Sequence, residues 1–167
     1  MTLLNNPQNN NTDSNFYELL SVELSLLQSL KDLMLDEKKA VEDNQVDKLI
    51  PIAEDKQLLL EQVEKASNTR QLFLNKHASG QSGLDRLNSF ISQSSASSQL
   101  RMQFDSVQEA LQDCKNLNDT NAKIIAISQR NVERNLNILK GVDNDAMVYT
   151  ANGSTEASES RLGGVKA

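Results

Sequence analysis

Tryptophan is absent from this chain, and aromatic residues make up only 4% of it. A compact globular core usually leans on rings, because each buries a large apolar area; that kind of core is excluded. The apolar content is mostly Leu, Ile, Val and Ala, which suits elongated helices packed in thin seams, at modest stability for the size. Only two prolines and six glycines interrupt 167 residues. There is one cysteine, so no internal disulfide can form and a reducing compartment is expected. Metal binding needs clustered His, Cys or carboxylate ligands, and the one histidine, His77, and Cys114 stand apart. His77 reads as a helix-end residue on the dipole, and Cys114 as a small apolar group. No glycine-rich phosphate-cradling loop is present, so no cofactor, catalytic residue or enzymatic activity is expected. A basic excess is also missing. Asp and Glu number 23 against 17 Lys and Arg, for a net charge of −6, which argues against nucleic acid and anionic membrane surfaces as partners. The longest apolar runs, Ile124–Ile127 and Leu58–Leu60, fall far short of the roughly 20 residues of a membrane span. The opening residues lack the basic and apolar regions of a signal peptide, so a cytoplasmic location is expected.

What the chain does have is heptad patterning. Residues 1 to 14 are rich in Asn, without periodicity, and read as disordered. Asn15 and Glu18 have the spacing of a capping box. Phe16, Leu20, Glu23, Leu27, Leu30, Met34, Glu37 and Val41 then alternate steps of four and three, the period that keeps one stripe against a partner helix. Leu19, Leu26, Leu33 and Ala40 widen that stripe, so the helix wants at least two neighbours. A second helix starts near Asp47 or Lys48 with Pro51 in its first turn, or earlier with Pro51 kinking it, and Lys76, His77 and Gly80 mark its end. The short connection forces an antiparallel hairpin that brings Glu37 to Lys56 as an exposed ion pair. Leu84, Leu87 and Ile91 suggest one short helix, and the serine-rich tract from Ser92 to Gln99 reads as a linker or a poor helix. The expected fold is all-α: a long antiparallel helical hairpin plus a long C-terminal helix, in an elongated coiled-coil-like three-helix bundle with disordered termini. Its helices cover about 15–42, 47–78, 83–91 and 98–140, and 141–167 is a flexible tail.

The last helix carries the most informative feature. Its seam is apolar through Leu100, Phe104, Val107, Leu111 and Cys114, then turns polar at Asn118, Asn121, Ser128 and Asn135. Two readings of the Asn pair stand: buried amides that fix register, or a surface completed by another helix. An apolar ridge of Ile124, Ile125, Val132, Leu136 and Leu139 beside a semi-polar strip suits transient binding better than a permanent core.

The order of Glu37 after a leucine ladder, Asp47-x-Leu49, Lys56-x-x-Leu59, Arg70, Asn118-x-x-Asn121 and Tyr149-x-x-x-Gly153 resembles the FlgN-type flagellar export chaperones over residues 16 to 155. The resemblance implies a cytoplasmic chaperone that binds the C-terminal helices of hook-associated junction proteins. It would prevent their premature association and deliver them to the flagellar type III export gate. It implies a client surface at Asn118, Asn121 and the helix beyond (Ile124, Ile125, Ser128, Val132, Leu136 and Leu139), and export-gate docking at Tyr149. The alternatives are a structural, self-associating coiled coil and a chaperone of another exported flagellar subunit.

Overall fold

A computed structural model describes residues 7–140, 147–149 and 155–157. The order is α1 (Pro7–Glu42), α2 (Val46–His77), α3 (Gly83–Gln93), α4 (Ser97–Leu139), β1 (Met147–Tyr149) and β2 (Thr155–Ala157). The protein is an all-α helical bundle, and the chain divides into two compact units, Met1–Ile125 and Ala126–Ala167.

In the first unit, every member of the α1 series from Phe16 to Val41 is buried, Glu23 and Glu37 included. The two carboxylates are each met by a cation of α2. Arg70 donates through Nε to Glu23 at 2.6 Å, and Lys56 Nζ donates to Glu37 at 2.8 Å. Two heptads forward along α1 therefore correspond to two heptads back along α2, which is the antiparallel register of the hairpin. Arg70 also lies over the Phe104 ring of α4, 5.6 Å from its centroid, so the guanidinium is sandwiched between opposite charge and a π face. The Glu37–Lys56 pair forms as expected, but only 11% and 16% of the two side chains is exposed. It is a mostly buried pair, because α4 covers it.

Helix α1 ends in a Schellman motif. Gln45 N–H donates to Ala40 O at 2.8 Å and Asn44 N–H to Val41 O at 3.2 Å, with Asn44 left-handed at φ 54°. Asparagine is among the few non-glycine residues that visit that conformation readily, because its short polar side chain can hydrogen-bond locally. Helix α2 starts at Val46, so Pro51 falls beyond the first turn and the Asp47 carbonyl loses its i+4 donor; Pro51 is exposed.

Helix α4 runs parallel to α1. Cys114 Sγ–H donates to Leu27 O at 3.3 Å and Asn121 Nδ2 to Met34 O at 2.7 Å, both across a separation of 87 residues. The donors are one heptad apart, and so are the acceptors. The few phenylalanines are concentrated rather than spread. Phe16, Phe73 and Phe90, from α1, α2 and α3, lie within 5.6 Å of one another between ring centroids. His77, the last residue of α2, packs on Phe73 at 4.4 Å.

Three expectations need correction. Helix α1 begins at Pro7, a proline well suited to a first helical position, and passes through Asn15 without a cap. The reason is tertiary: Asp13 is buried and accepts hydrogen bonds from Ser94 Oγ at 2.7 Å and Ser95 Oγ at 3.3 Å. The serine-rich tract is correspondingly no linker. Three residues separate α3 from α4, and Ser94 Oγ accepts from Ala96 N–H within that turn. Helix α3 has its own capping box between Ser82 and Asp85, and it buries Leu87, Phe90 and Ile91 while Leu84 is exposed. Just ahead of it, a Cβ on Gly80 would come within 2.7 Å of Arg86 N, so only glycine fits there.

In the second unit, α4 runs on to Leu139, and β1 pairs antiparallel with β2, Tyr149 opposite Thr155. The expected flexible tail thus holds a strand pair in its described part, where Val148, Tyr149 and Thr155 favour extended backbone. Residues 1–6 and Gly153 lie outside the described residues.

Candidate helix-binding surface

The expected surface lies on α4, and its members divide by burial. Asn118 is exposed, whereas Asn121 retains only 1% of its surface. The Asn121 Nδ2 donates to both Met34 O at 2.7 Å and Glu37 Oε2 at 2.8 Å. The amide can point only this way, since the reverse would set Oδ1 against two acceptor oxygens. Oδ1 is left buried without a donor. Asn121 therefore belongs to a closed cluster with Glu37 and Lys56, and the surface role expected for it gives way to a register role here. The heptad pattern alone could not reveal this, because it depends on what faces Asn121. Asn121→Ala removes a donor from a buried carboxylate and should cost about 1–3 kcal/mol in thermal denaturation. Asn118→Ala should stay within about 0.5 kcal/mol.

Past Asn121, side chains emerge. Ile124, Ile125 and Ser128 are half-buried, while Val132, Leu136 and Leu139 are 55%, 46% and 82% exposed. Ile127 and Ile138 are exposed as well, at 52% and 66%, and neither was part of the expected strip. Following one heptad seam misses them. Their shared helical row eleven residues apart was the available signal. Tyr149 lies in β1, at the Thr155 register.

Neither polar contact along the docked half of α4 prepares covalent chemistry. Burial first, and the Asp113 carboxylate second, push the Cys114 thiol up, the wrong direction for a reactive thiolate. Asp113 also accepts from Lys31 Nζ at 2.6 Å, and that hydrogen bond, reinforced by its charge, raises the ammonium above its ordinary value. Among the described residues, no group of three or more His, Cys, Asp or Glu could hold a metal ion, and no helix is long and apolar enough to cross a membrane.

No curated protein and no solved structure matches this chain. A family model described as FlgN protein matches residues 12–157, from the turn of α1 that carries Asp13 to the end of β2. That span covers most of the chain and both of its units, so the protein belongs to the FlgN family of flagellar export chaperones.

Proposed function

We propose that this chaperone binds the C-terminal helices of hook–filament junction proteins in the cytoplasm, keeps them from associating early, and hands them to the export gate. The observation that carries the reading is the group of large apolar side chains left open on the last turns of α4, from Ile127 to Leu139. Clustered exposed apolar residues mark interaction sites in proteins of this kind. A client's amphipathic helix would lay its apolar face on Ile124, Ile125, Val132, Leu136 and Leu139, with Asn118 and Ser128 available to its polar groups. Asn121 supports the surface from beneath by holding α4 on α1. Tyr149 is the proposed gate contact, a single aromatic anchor separate from the client surface.

The same open face also suits a structural coiled coil that pairs with its own copy, and a client other than a junction protein. Size-exclusion chromatography with light scattering separates these. The chaperone reading expects a stable complex with a junction protein that is lost when the client's C-terminal helix is deleted. Tyr149→Ala should leave that complex intact and impair export. A tight homodimer with no complex would establish the structural reading instead, and a complex only with another flagellar subunit would reassign the client.

A further inference from the structure

The open end of α4 carries charge as well as apolar surface. Residues 126–140 hold Arg130, Arg134 and Lys140 against Glu133 alone, in a chain whose net charge is −6. The ion pairs among the described residues are Lys31–Asp113, Lys38–Glu42, Lys56–Glu37 and Arg70–Glu23, so neither arginine meets a carboxylate among those residues. Arg130 Nε donates to Ala126 O at 3.2 Å, within its own helix. Both arginines are exposed and one turn apart, and like charges at that spacing destabilise a helix. At about 100° per residue, Ile127 and Ile138 lie within roughly 80° of this arginine row. Val132, Leu136 and Leu139 continue the apolar face on the side away from it. A helix covering that face must therefore run one of its edges along Arg130 and Arg134.

We infer that the segment bound by the end of α4 is an amphipathic helix with carboxylates along one edge, and that Arg130 and Arg134 select it. The inference rests on the chaperone reading and specifies the chemistry of its client. Arg is suited to the task, since its planar fork meets a carboxylate with two parallel hydrogen bonds. An anionic lipid surface is the weaker fit. A membrane-lying helix needs a strongly basic polar face, and here Glu133 and Asn137 lie among only three cations.

The test uses the full chain and three synthetic amphipathic helical peptides with the same Leu and Ile face, edged by Glu, Gln or Lys. Fluorescence anisotropy at low salt should rank them Glu, Gln, Lys, with about a tenfold or larger gap between the extremes that shrinks as salt is raised. The Arg130→Glu/Arg134→Glu variant should reverse the ranking, and Arg130→Gln/Arg134→Gln should flatten it, with helix content by circular dichroism unchanged. Equal affinities, or a ranking untouched by either variant, would overturn the inference; if a purified junction protein still bound, the chaperone reading would survive. Tighter binding to anionic phospholipid vesicles than to the Glu peptide would overturn it in favour of a lipid surface. Failure of both the peptides and the junction protein to bind would overturn both.

Discussion

Glu23→Ala will lower the stability of the hairpin by about 3–5 kcal/mol, enough to shift the melting temperature by roughly 6–20 °C. The Arg70 guanidinium, with 12% of its side chain exposed, then faces no carboxylate, and its remaining side-chain contacts are Ser67 Oγ at 3.3 Å and the Phe104 ring. Neither neutralises a buried charge, so most of the desolvation cost stands uncompensated. Two comparisons isolate that cause. Lys31 and Asp113 also meet at 2.6 Å, but about 40% of each side chain is exposed, and Lys31→Ala should barely move the transition. Replacing both buried partners, Glu23→Leu with Arg70→Met, should recover most of the loss, since no lone charge then remains. Thermal and urea denaturation of the three variants checks this. A small effect for Glu23→Ala would mean that water reaches Arg70.

Val132→Asp with Leu136→Asp is expected to abolish client binding, weakening it by 100-fold or more, without lowering the melting temperature. Covering two such side chains contributes about 3–6 kcal/mol, and a carboxylate at each site turns that gain into a desolvation cost. In the free protein the same side chains are 55% and 46% exposed, so folding has little to lose at either position. Titration calorimetry with a junction protein reads the first quantity and circular dichroism the second. A large drop in melting temperature would show that these residues serve the fold. Unchanged affinity would move the client surface elsewhere on the protein.

The opposite pattern is expected for Asn121→Ala, and the contrast shows how much the sequence could say. Asn118 and Asn121 are the same residue type, one turn apart on one seam, and periodicity treats them alike. The structure separates them. Asn121 meets the Met34 carbonyl and the Glu37 carboxylate, while Asn118 stays exposed. Glu37–Lys56 shows the same division. Folding the chain about its short turn was enough to pair these residues, because register follows from loop length. Whether the pair was wet or dry depended on α4, which packs against α1 from residues some 87 positions further on.

Local chemistry by itself determined the helical class, the eight buried positions of the α1 series from Phe16 to Val41 and the hairpin, since these follow from a repeat of three and four and one short turn. Spacing alone misplaced the capping box: Asn15 and Glu18 lie inside α1, and the structure forms the box at Ser82 and Asp85 instead. Tertiary structure decided the rest. From Pro7 the Asn-rich segment is helical because Asp13 finds two serines from the turn between α3 and α4, a contact over 80 residues of separation. The serine tract is ordered by the same bonds. The polar seam of α4 divides at Asn121 because the Met34 carbonyl and the Glu37 carboxylate stand across from that residue, while Asn118 stays exposed. A polar side chain's role depends on the partner across from it, and a single helix's pattern carries no record of that partner.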